Sequence, residues 1–124
     1  PIYTTDHLAA TMETLGPNFT ATMQTLAAAD YATTKERLSR SREQLATTVT
    51  FWRDHERDDA IGYVRAALRG MDDLDAVLSM ELVDSMAAAE VAADIQAACA
   101  SCHAVYREQD PTTGEYRLKS DILD

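Results

Sequence analysis

Aromatic residues make up only 6% of this 124-residue chain, and turn-forming residues are scarce, with four glycines and three prolines. That scarcity argues against a sheet sandwich, which needs aromatic strands joined by many turns, while a 46% hydrophobic content rich in Ala, Leu and Met favours helices. Basic residues are also few. Eleven Lys and Arg against 21 Asp and Glu leave a formal charge of −10, which repels nucleic acid and anionic membrane surfaces. A macromolecular partner is therefore expected to present a basic face. No apolar run approaches the roughly 18 residues needed to span a bilayer, and the opening "PIYTTDHLAA" lacks the basic and apolar regions of a signal peptide. Either the protein is cytoplasmic or a signal has been removed. The length corresponds to one domain, 1–124.

Apolar residues recur at helical spacing in four segments. The first, about Thr5 to Ala29, carries Leu8, Met12, Leu15, Phe19, Met23 and Leu26, with Gly16 and Pro17 predicting a kink. The second, about Tyr31 to Arg53 behind Asp30, carries Leu38, Leu45, Val49 and Trp52. After the charged connection "RDHERDD", Asp58 or Asp59 caps a third, with Ile61, Val64, Leu68, Met71, Leu74 and Leu78, ending near Ser79. The fourth starts at Asp84 or Ser85 and runs to about Gln109, with Met86, Val91, Ile95, Ala98, Cys99, Cys102 and Tyr106 on one side. Pro111 and Gly114 then stop it, leaving a polar tail to Asp124. Four amphipathic helices with short connections predict an all-α, antiparallel, up-down-up-down four-helix bundle.

Both cysteines fall in "CASCH", Cys99 to His103. Two thiols three apart followed by histidine form the C-x-x-C-H pattern for covalent haem, in which the thiols add to the vinyl groups and the histidine binds iron. On a helix Cys99, Cys102, His103 and Tyr106 share one face, so they can meet one flat macrocycle. A thioredoxin-like pair would need a strand-helix-strand setting, and no strand-like alternation precedes the motif. A zinc site would need a fourth ligand at paired spacing, which His7 and His55 do not supply. A Cys99 to Cys102 disulfide inside a helix would be strained and would leave His103 unexplained. Haem c attachment takes place outside the bacterial cytoplasm, so the expected location is the periplasm, with the signal absent from this chain.

A single C-x-x-C-H near the end of a four-helix bundle resembles the class II c-type cytochromes, the cytochrome c prime family. The resemblance is sharpest in "CASCHAVYR", where two variable residues, an aromatic (Tyr106) and a basic residue (Arg107) follow the histidine, and looser in "METLGPNF" from Met12 to Phe19. It implies one haem c on Cys99 and Cys102, His103 as proximal ligand, Arg107 near that histidine, and the first helix lying against the last. It also allows a homodimer through the first two helices. Class I cytochromes c are the nearest competitor, but they carry the motif near the N-terminus and a methionine far downstream, and no Met or His follows His103 here.

A sixth ligand would therefore come from upstream. Met86 lies 17 residues before His103 on the same helix, about 25 Å away at about 1.5 Å per residue, and cannot reach. The resemblance places Met12 on the distal side of the iron, with Met23 and His7 as lesser candidates, the alternative being that Met12 only packs. Histidine and methionine ligation implies a low-spin periplasmic electron-transfer protein without enzymatic activity, approached by a redox partner with a basic face. An open distal site implies binding of NO or CO instead. The remaining candidates have plainer readings. Asp72, Asp73 and Asp75 point different ways on a helix as a solvated face. Arg117 and Lys119 are surface charges or propionate partners. His55 is exposed, and Trp52 and Tyr106 are packing residues, the latter against the haem.

Overall fold

The computed structural model describes Ile2 and residues 4–119, so the end of the expected polar tail, 120–124, lies outside the described residues. Helix α1 spans Thr5–Ala27, capped by the Thr4 hydroxyl, which accepts from the His7 N–H at 3.2 Å. Leu8, Leu15 and Thr22 are buried, and Met12, Phe19 and Leu26 pack beside them. The chain stays helical through Pro17 rather than being interrupted there. Gly16, Pro17 and Glu13 all lie on the exposed face, so the carbonyl that proline leaves unbonded belongs to an exposed residue.

The expected second helix is two. α2 spans Tyr31–Ala46 and α3 spans Val49–Asp54. Between them the hydroxyls of Thr47 and Thr48 donate back to the carbonyls of Gln44 and Leu45 at 2.6 and 2.7 Å. Threonine side chains thus compete for the acceptors that a continuous helix would use. The break turns Phe51 and Trp52 fully into the core.

Helix α4 spans Asp58–Leu78, with Arg57 at its cap position and Asp58 and Asp59 inside the first turn, where negative charge suits the helix dipole. Its buried line is Ala60, Val64, Ala67, Met71, Leu74 and Leu78, whereas Ile61 and Leu68 sit half-buried on its shoulder. Helix α5 spans Ser85–Tyr106, and the Asp84 carboxylate accepts from the Met86 and Ala87 N–H groups, both at 3.1 Å. The α5 core line is Ala88, Ala92, Ile95 and Tyr106. Met86, expected on that side, is 75% exposed, because nine residues before Ile95 is the opposite face of a helix.

α5 ends three residues earlier than the hydrophobic pattern suggests. Residues Arg107–Gln109 form β1, which pairs antiparallel with β2, Tyr116–Leu118, in the register Arg107 to Leu118, Glu108 to Arg117 and Gln109 to Tyr116. Part of the expected polar tail is therefore a hairpin. Asp110 accepts from the N–H groups of Thr112 and Thr113 at 2.8 and 3.0 Å, and Gly114 takes the left-handed conformation, φ 75°, that completes the turn.

The protein is predominantly helical. α1 packs along α2, α4 along α5, and α2 crosses onto α4, while β2 touches α1. Small residues let α4 and α5 approach closely: a Cβ built on Gly70 would stand 2.7 Å from Cγ1 of Ile95. The first and last helices do not form a comparable packed seam, contrary to the close contact the family resemblance implies. That loosely closed edge of the bundle is where the candidate site lies.

Candidate functional site

The last two turns of α5 hold the motif. Cys99, Cys102 and His103 are each half-buried, Tyr106 is buried and Arg107 is exposed. The two cysteines are free thiols, and both pack against the core. Burial pushes the Cys99 thiol above its ordinary range. Cys102 is pushed up to about 11 by burial, reinforced by Cys99 and by the Asp59 carboxylate. Burial lowers the pKa of His103, and the Arg107 guanidinium lowers it further, so the imidazole is neutral near pH 7 and keeps a nitrogen lone pair for a metal.

A cavity of about 590 Å³ opens between α1, α5 and the hairpin. Cys99 and His103 line it from α5, Phe19 from α1, and Arg107 and Tyr116 from the two strands. Cys102 lies on the core side of the same helix face, near Tyr106 and Asp59. The Tyr106 hydroxyl donates to Oδ1 of Asp59, and its ring lies 4.7 Å from that of Trp52. Trp52 is 2% exposed, and its indole N–H has no acceptor among the described residues. Two free thiols and a neutral imidazole on one helix face, with a cavity of ligand size adjoining, are a set of residues that fits haem c.

Comparison with models of protein families, with curated proteins and with solved structures finds no match.

The structure brings Cys99, Cys102, His103, Tyr106 and Arg107 together, and leaves Met12 outside the cavity. Met12 is half-buried against the core, one heptad before Phe19 on the same stripe of α1, and it is Phe19 that lines the cavity with His103. Met23 is also half-buried, Met71 is fully inside the core, and Met80 and Met86 are exposed. His7 lines a different, shallow cleft between α1 and α2, with Glu43 and Thr47. His55 is not simply exposed: its Nδ1 is 2.8 Å from the Phe51 carbonyl and its ring lies 4.1 Å from that of Phe51.

Asp72 pairs with Arg42 of α2 at 2.5 Å, an interhelical contact that holds its carboxyl below the usual carboxylate range through the guanidinium hydrogen bond. No group of three metal-ligating side chains occurs among the described residues. Arg117 and Lys119 are engaged within the C-terminal region: Arg117 binds Glu108 and Asp110, each at 3.0 Å, and Lys119 Nζ donates to the Ala104 carbonyl at 3.2 Å. No described helix is long and apolar enough to cross a membrane.

Phe19, Tyr116 and Asp59 are the site residues that sequence reasoning passed over. Phe19 sat in the predicted core stripe, Asp59 among predicted caps, and Tyr116 in the tail. Only the position of Phe19 one heptad after Met12 carried a signal.

Proposed function

We propose that this protein is a periplasmic mono-haem c-type cytochrome of the class II kind, an up-down-up-down four-helix bundle that carries electrons. The observation that carries this reading is the C-x-x-C-H motif on α5 with two unpaired thiols and a neutral His103 beside an open cavity. Cys99 and Cys102 would hold the haem covalently, each through its Sγ as a thioether. His103 would ligate the iron through an imidazole nitrogen, with Met12 of α1 as the candidate second ligand. When bound, the haem supplies a one-electron iron couple whose potential methionine ligation raises. The chain's part is to hold the imidazole, bury the thioether edge against Tyr106 and Trp52, and present an acidic surface to a redox partner with a basic face.

One observation favours a second reading. Phe19, and not Met12, reaches the cavity that His103 lines, which suits an open distal position and binding of NO or CO.

The deciding measurement is the optical spectrum of protein matured with haem, oxidised and reduced, with and without CO, beside Met12→Ala. The electron-transfer reading expects a low-spin spectrum indifferent to CO and high-spin, CO-binding behaviour in Met12→Ala. A wild type that is already high-spin and takes up CO makes Met12 a packing residue and the gas-binding reading correct. Absence of covalent haem from matured protein overturns both. Electron exchange with a basic partner is expected to slow as salt rises, and salt-independent rates would remove the charged docking face.

A further inference from the structure

The hairpin places a charged side chain in a fixed position next to the motif. Arg107 follows His103 by four residues, its backbone N–H donates to the His103 carbonyl, and its side chain lines the same cavity. The Arg107 Cζ stands 3.8 Å from the ring centroid of Tyr116, over its face. In the hairpin register Tyr116 is opposite Gln109 and thus diagonal to Arg107, a spacing that an aromatic and a long side chain can bridge. Nothing in core packing accounts for the ring, since Tyr116 is 54% exposed.

Two of the hairpin's three carboxylates are occupied. Glu108 and Asp110 are both held by Arg117, and no carboxylate among the described residues lies within ion-pair distance of Arg107. The hairpin is itself anchored: the Lys119 N–H donates to the Tyr106 carbonyl at 2.9 Å, and Leu118 packs on the core. Tyr116 is therefore a firm platform, and stacking on it costs Arg107 little beyond its own rotamer freedom.

We propose that Tyr116 is a positioning residue that holds the Arg107 guanidinium, as an un-neutralised positive charge, beside the proximal imidazole. The inference rests on the reading of His103 as an iron ligand and deepens it. A fixed positive charge there disfavours the more positive, oxidised state of whatever His103 ligates, so it raises the reduction potential.

The test is a spectroelectrochemical titration of haem-loaded protein, comparing wild type with Tyr116→Phe, Tyr116→Leu, Arg107→Gln and the double variant Tyr116→Leu with Arg107→Gln. Tyr116→Phe keeps the ring and is expected to keep the wild-type potential. Tyr116→Leu keeps an apolar strand residue without a π face, and is expected to shift the potential downward in the direction of Arg107→Gln. In the Arg107→Gln background Tyr116→Leu is expected to add nothing. An unchanged potential in Tyr116→Leu, or an equal drop with and without Arg107, overturns the proposal while leaving the haem reading intact. Protein that acquires no covalent haem under maturation conditions overturns the haem reading and the proposal with it.

Discussion

The hydroxyl of Tyr106 donates a hydrogen bond to the carboxylate of Asp59, tying the last turn of α5 to the first turn of α4. The two residues are 47 apart in sequence, and the bond is set against the buried ring of Trp52. It fixes the end of the helix that carries both cysteines.

Tyr106→Phe keeps the ring packing and removes only that bond. Asp59 is exposed, so water can replace the phenol, and the expected loss is about 1 kcal/mol by denaturant unfolding. Tyr106→Ala also removes the ring from beside Trp52 and is expected to cost about 3 kcal/mol or more. Equal losses in the two variants would mean that the ring contributes nothing.

The thiols of haem-free protein should react slowly. Raising Cys102 from 9.0 to about 11 leaves about a hundredfold less thiolate at mildly alkaline pH than an ordinary cysteine holds, and alkylation by iodoacetamide should be slowed accordingly. Because the folded value lies above the unfolded one, the unfolded thiol ionises first. The associated stability is present below 9.0 and is lost as pH rises toward about 11. Unfolding midpoints measured across that window, with Cys102→Ala as the comparison, check the sign.

Two glycines of α4 should respond oppositely to alanine. At Gly70 the new methyl would meet Ile95, and an expected cost of about 1–3 kcal/mol follows from overpacking the α4 to α5 seam. At Gly62 nothing stands within 4 Å, so alanine should stabilise the helix by about 0.5–1 kcal/mol. Thermal melts of the two variants make the comparison directly.

Asp84 begins the motif helix by accepting two backbone N–H groups. Asp84→Ala is expected to cost about 1 kcal/mol, and Asp84→Asn or Asp84→Ser to recover most of it, since those side chains also cap. Loss of stability in all three variants alike would show that charge rather than capping is at work.

Local sequence was enough to place the four long amphipathic stretches, because the spacing of Leu8 and Leu15, or of Val64, Met71 and Leu78, is a property of one helix face. The caps at Asp30 and Asp84 were legible for the same reason, as were the shared face of Cys99, Cys102, His103 and Tyr106 and the net charge. What a residue meets across the bundle was not legible. The split between α2 and α3 required Thr47 and Thr48 to turn their hydroxyls onto the preceding carbonyls, one of several options open to threonine. The hairpin depended on pairing Arg107–Gln109 with a partner strand beyond a turn, and short polar segments carry little periodicity from which to read it. Helical spacing placed Met12 and Phe19 on one stripe, but the relative shift of α1 and α5 decided which of them lines the cavity with His103. Tertiary packing likewise brought Asp59 to Tyr106 and Tyr116 to Arg107, because such meetings depend on how separate elements seat against one another, and no local spacing encodes that.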